Sequence, residues 1–177
     1  MTNVLVTGGT GFLAGWTIRK LLEKNYVVQT TVRSLEKSEK VITMLNNEGV
    51  DTTNLSFKVA DLTKPDGWSN AMENMDYVIH TASPLGGDNH ENPELIPIAK
   101  KKGVENVLNA AIDNGIKRIV MTSSEAACYP YKSDSNPKIN EDYWTDLNNK
   151  DITNYQRSKI IAEKTAWDIS RNNQTPN

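Results

Sequence analysis

Short apolar runs alternate with longer amphipathic stretches along this chain. Val4-Leu5-Val6, Val27 to Val32, Leu55 to Ala60, Tyr77 to Thr81 and Ile116 to Met121 have the length and β-branched content of strands. Between them, Phe12 to Lys24 and Glu36 to Glu48 predict helices, a short helix follows Pro65, and a long one runs from Pro93 to Asn114. Asn92-Pro93-Glu94 suits the start of the long helix: an Asn cap, a Pro at the first helical position and an acid beside the positive end of the dipole. Asn114-Gly115 suits its stop. From Glu125 to Lys150 the pattern breaks into Pro, Ser, Asn and Asp, a long loop of the kind that commonly carries function. A last helix is expected from Asp151 to Arg171. Five strand–helix alternations predict a single α/β domain over residues 1–177, a doubly wound parallel sheet with right-handed crossovers and helices on both faces.

Composition narrows the function classes. The net charge is −2, from 20 Lys and Arg against 22 Asp and Glu, with no basic block. Nucleic acid and anionic membrane surfaces are therefore not expected partners. The one cysteine, Cys128, has no intrachain partner, which fits a reducing compartment. No run approaches the roughly 20 apolar residues of a membrane span. The N-terminus enters an apolar strand without a basic segment, so no signal peptide is visible and a cytoplasmic location is expected. No metal site is expected.

The first candidate site is the turn Thr7-Gly8-Gly9-Thr10-Gly11-Phe12-Leu13-Ala14. A pyrophosphate needs backbone N–H groups pointing at it and the positive end of a helix beneath it. Gly8 permits a tight turn after the strand, Gly11 lets the main chain approach the phosphates, and Ala14 allows close helix–strand packing. Gly8, Thr10, Gly11, Phe12 and Leu13 are thus the expected dinucleotide contacts of a Rossmann-type fold. The competing reading is a glycine-rich connection with no ligand, which the position directly after the first strand opposes. The second strand ends in Thr30-Thr31-Val32-Arg33, with no acid before Glu36. An acid there would favour NAD, whereas the planar fork of Arg33 suits a 2′-phosphate, with Lys40 adding charge. NADP(H) is expected over NAD(H); the bland reading of Arg33 is a solvated strand-end side chain.

The second candidate site is Tyr155-Gln156-Arg157-Ser158-Lys159, which puts a phenol and an ammonium on one face of a helix. A free phenol titrates near pH 10, too high for efficient proton exchange near neutrality. A lysine one turn away stabilises the phenolate, and its ammonium can also hold a nicotinamide ribose. Thr122-Ser123-Ser124 ends the fifth strand, where parallel α/β sheets place their ligands. A hydroxyl there would orient a carbonyl oxygen while hydride arrives from the nicotinamide.

These motifs, together with Asp61-Leu62, His80-Thr81-Ala82-Ser83-Pro84 and Ala162-Glu163-Lys164, resemble the extended short-chain dehydrogenase/reductase family. Within it the chain is most similar to the dihydroflavonol 4-reductase and cinnamoyl-CoA reductase branch. The resemblance implies a catalytic triad of Ser124, Tyr155 and Lys159, with Tyr155 the acid/base. It also implies that Asp61 and Leu62 flank the adenine, that Thr81, Ala82, Ser83 and Ser123 line the dinucleotide path, and that Arg33 and Lys40 recognise the 2′-phosphate. Asp61 as a turn residue and His80 as a satisfied strand-end histidine are the structural alternatives. The implied activity is NADP(H)-dependent reduction of a small-molecule aldehyde or ketone to an alcohol. A dinucleotide-binding module with little turnover and a nucleotide-sugar epimerase or dehydratase are the other classes; Arg33 and the His80 to Pro84 segment argue against the last.

Three departures stand out. Ala14 replaces the commoner third glycine, and Glu125 follows the Ser pair where the branch has a small or apolar residue. Family members also continue into a sixth strand and a C-terminal substrate domain that have no counterpart here. Arg118 to Met121 would then form an exposed edge, and self-association through it or through the long helices is expected.

Overall fold

The computed structural model describes residues 1–83, 103–130 and 138–173. Five strands form one parallel sheet: β1 (Asn3–Thr7), β2 (Val27–Val32), β3 (Leu55–Val59), β4 (Tyr77–His80) and β5 (Arg118–Met121). Their order is β3-β2-β1-β4-β5, so the chain winds outward from β1 in both directions. The reversal of direction lies between β1 and β4, and in such sheets a crevice opens there beyond the strand C-termini. The expected α/β, Rossmann-type doubly wound fold is the observed one.

Alternation along β1 decides what packs on each face. Val4 and Val6 join Ala14, Ile18 and Leu22 of α1 (Phe12–Leu22) and Val41 and Leu45 of α2 (Ser38–Asn47) in one core. Leu5 points the other way, into a core with Trp68 and Met72 of α3 (Trp68–Met72) and Val107, Leu108 and Ala111 of α4 (Glu105–Asp113). The last helix, α5 (Asn154–Asn173), packs against α4 on that second face.

The boundaries move where local hydrogen bonds outrank periodicity. The stretch expected as one helix from Glu36 splits into a 3₁₀ turn at Leu35–Lys37 and α2, with the Ser38 hydroxyl donating to the Leu35 carbonyl at the join. The helix from Phe12 stops at Leu22 rather than Lys24, because the chain reverses through Asn25 at φ 59°. The last helix starts at Asn154 rather than Asp151. Thr153 and Gln156 cap it reciprocally: the Gln156 amide donates to Thr153 Oγ1 and the Thr153 amide to Gln156 Oε1. The fifth strand starts at Arg118, after Ile116 and Lys117. The expected Asn92-Pro93-Glu94 helix start lies outside the described residues; the described part of that helix ends at Asp113, beside the expected Asn114-Gly115 stop. The loop from Glu125 is broken by a 3₁₀ turn at Glu125–Ala127.

Candidate functional site

The glycine turn is shaped by its neighbours on both sides. Gly8 has φ 76°, and a Cβ there would sit 3.1 Å from Ala82 Cα at the end of β4. A Cβ at Gly9 would lie 2.5 Å from Thr30 Oγ1. Strand β2 also holds the turn directly: the Gly8 amide donates to Thr31 Oγ1 at 3.0 Å and the Gly9 amide to the Thr31 carbonyl at 2.9 Å. Helix α1 then opens without a side-chain cap or an acid in its first turn. Its first internal bond runs from the Gly15 amide to the Gly11 carbonyl at 2.9 Å. The amides of Phe12, Leu13 and Ala14 precede that bond and belong to the positive end of the helix. An uncapped helix start behind a turn with no room for side chains fits a pyrophosphate.

From this turn a cleft of about 780 Å³ runs across the C-terminal ends of the strands. Gly8, Thr10, Gly11, Phe12 and Leu13 form its floor and Arg33 stands at one end. Asp61 and Leu62 follow β3 along one wall, and Thr81, Ala82 and Ser83 follow β4. Ser123, Tyr155 and Lys159 line the far end. Two expected residues fall outside these walls: Lys40 is exposed on α2, and Ser124 is turned into local structure. Ser124 Oγ accepts the Ala126 amide at 3.2 Å and caps the 3₁₀ turn that carries the exposed Glu125. Thr31 and Thr122, from the segments at the ends of β2 and β5, also line the cleft, as does Trp68, which no sequence motif marks.

Asp61 serves as the turn residue weighed above. Its Oδ1 accepts the Thr63 amide and the Thr63 hydroxyl, each at 2.8 Å. The Thr63 amide holds this carboxyl below the usual carboxylate range, and Arg33 adds a smaller electrostatic contribution. The wall beside Arg33 is thereby fixed by an Asx turn.

Tyr155 and Lys159 stand in the first turns of α5, directly after the Thr153–Gln156 cap. The Lys159 ammonium lies 6.0 Å from the Tyr155 ring centroid and donates to Ser83 Oγ at 3.1 Å. Burial lowers the Lys159 pKa. One turn further along, Glu163 accepts the Ser123 hydroxyl through Oε2 and the Trp167 indole N–H at 3.3 Å through Oε1. Sequence spacing places Glu163 on the stripe of Tyr155 and Lys159, yet only the fold brings it to Ser123. Behind Lys159 lies a cavity of about 30 Å³ lined by His80, Ser83, Ser123 and Glu163 among others. Among the described residues no His, Cys, Asp and Glu cluster could hold a metal ion, and no helix is long and apolar enough to cross a membrane.

Comparison with known proteins gives this geometry a family. The model of the 3-beta hydroxysteroid dehydrogenase/isomerase family matches residues 5–175. Vestitone reductase of Medicago sativa is 32% identical over 177 residues, spanning 97% of this chain and 54% of that protein. Anthocyanidin reductase of Arabidopsis thaliana is 35% identical over 177 residues, spanning 96% and 51%. The crystal structure of yeast methylglyoxal/isovaleraldehyde reductase complexed with NADPH superposes with a TM-score of 0.82 at 28% identity, covering 98% of this chain and 54% of that one. The chain spans about half the length of the curated relatives it matches. Dihydroflavonol 4-reductase and cinnamoyl-CoA reductases are among those relatives, so the resemblance carried by the motifs holds. The chain belongs to the 3-beta hydroxysteroid dehydrogenase/isomerase family.

Proposed function

We propose that this chain provides the dinucleotide site and the proton donor of an NADP(H)-dependent reductase that converts an aldehyde or ketone to an alcohol. One observation carries the reading: a single cleft joins the phosphate turn, Arg33 and the Tyr155–Lys159 pair. The reductase relatives and the NADPH complex of a structural neighbour support it.

The amides at the start of α1 hold the pyrophosphate, Arg33 takes the 2′-phosphate, and Lys159 takes the nicotinamide ribose. NADPH, when bound, supplies hydride to the carbonyl carbon. Tyr155 gives its phenolic proton to the carbonyl oxygen, and the Lys159 charge stabilises the phenolate left behind. Ser124 Oγ accepts from the Ala126 amide, so its own proton is available to orient that oxygen. The Ser123 proton goes to Glu163. Ser124 is thus the better donor of the two, although it does not line the cleft.

The test has two stages. Fluorescence titration should show NADPH binding to this chain more tightly than NADH. NADPH oxidation is then followed against an aldehyde and ketone panel, with this chain and with any longer product of the same gene. Tyr155→Phe should abolish the oxidation and leave NADPH affinity nearly unchanged. Failure to bind either nucleotide would overturn the proposal, and binding without turnover in both proteins would reduce it to a dinucleotide-binding module.

A further inference from the structure

His80 is buried at the end of β4, and the catalytic reading above gives it no work. Its protonation state follows from counting protons on Thr7. The Thr7 hydroxyl oxygen accepts the backbone amides of Thr81 at 3.1 Å and Ala82 at 3.0 Å, which fills both lone pairs. Its single proton goes to His80 Nδ1, 2.7 Å away. Nδ1 is therefore an acceptor, and the ring proton sits on Nε2. Burial, with a smaller contribution from the Lys159 charge, pushes His80 down to about 4, so the ring is neutral at physiological pH. Among the described residues, the charged groups that share its cavity are Lys159 and Glu163, both from α5.

We infer that His80 is a positioning residue for Lys159: with Nδ1 engaged by the Thr7 hydroxyl, it offers Nε2–H to a water in the cavity beside the ammonium. The cavity, about 30 Å³, has room for a water molecule, and His80, Ser83, Ser123, Lys159 and Glu163 put polar groups on an otherwise largely apolar wall. Such a water has two lone pairs for Lys159 and His80, and two protons for oxygens on the wall, the Glu163 carboxylate among them. An imidazolium in this place would repel Lys159, and an apolar side chain would leave the water one donor short. The inference rests on the reading of Lys159 as a cofactor-holding residue.

Nuclear magnetic resonance tests it without any reaction. The chain has two histidines, His80 and His90, so long-range proton–nitrogen spectra can be assigned with one substitution. The unmutated chain should show His80 as the neutral Nε2–H form from about pH 5.5 upward, with cross-relaxation from that proton to water. Lys159→Met should raise the His80 titration midpoint and leave the tautomer unchanged. An Nδ1–H tautomer, or a midpoint at the ordinary histidine value, would overturn the inference. In NADPH titrations His80→Leu should weaken binding by about tenfold, the scale of one hydrogen bond to a charged group. His80→Gln, with an N–H near the Nε2 position, should recover most of that loss, and equal affinity of His80→Leu and the unmutated chain would also overturn it. If the unmutated chain binds no NADPH, the proposed function fails, and the spectra alone decide the state of His80.

Discussion

Arg33 is exposed at the end of β2 and lines the cleft opposite the catalytic end. Asp61, which feels the Arg33 charge, has Oδ1 engaged by the Thr63 amide and hydroxyl. Arg33→Ala should cost NADPH affinity by about tenfold while leaving NADH nearly unaffected, a difference read by calorimetry. Lys159 makes a different kind of prediction. Its folded pKa lies below the ordinary value of 10.5, so the buried ammonium destabilises the fold at every pH below that folded pKa. The penalty is relieved as pH climbs toward the ordinary value. Lys159→Met should thus melt higher than the unmutated chain at pH 7, with the advantage shrinking near pH 10, even as it loses NADPH affinity. Most of the cleft's lining was legible at this scale, because a glycine turn after a strand and a Tyr–Lys helix pair have fixed local spacing. Glu163 was not, since its link to Ser123 spans 40 residues, and neither was the cap formed by Ser124. Lys40, expected to add charge for the 2′-phosphate, stands exposed on α2 and does not line the cleft.

Among the elements, α5 matters most because its first turns carry both Tyr155 and Lys159. Its start is set by the reciprocal Thr153–Gln156 cap, a T-x-x-Q pattern that the expected start at Asp151 did not take into account. Thr153→Ala should cost about 1 kcal/mol of stability in urea denaturation. Fraying at that end would also loosen Tyr155, so proton donation should suffer more than nucleotide binding. Strands were easier to read than helix ends. The central strands β1 and β2 are buried almost throughout, as in parallel sheets covered on both faces, whereas helix ends depend on single hydrogen bonds such as that of Ser38 to Leu35.

At the scale of the whole molecule the sheet is lopsided. Strand β5 has β4 as its only neighbour among the described residues. An apolar groove of about 440 Å³ runs along it between Ile112, Ile119 and Trp167, and a second of about 330 Å³ opens on the other face beside Tyr77 and Ile79. Val120 lines both and is 58% exposed. An open apolar edge of this kind pairs readily with another chain, and self-association is the expected behaviour. Sedimentation velocity should show a concentration-dependent species larger than the monomer, and Val120→Lys should shift the distribution toward the monomer. A monomeric boundary for the unmutated chain at all concentrations would count against it. The opposite end of the sheet has a consequence of another kind. Thr31 secures Gly8 and Gly9 to β2, and Arg33 follows two residues later, just past the end of that strand. The residue proposed to select the nucleotide and the residue that holds the glycine turn thus lie within one short segment. Under the proposed function, grafting another family member's strand end to change nucleotide preference should also reset the glycine turn, so cofactor choice would not be a detachable module.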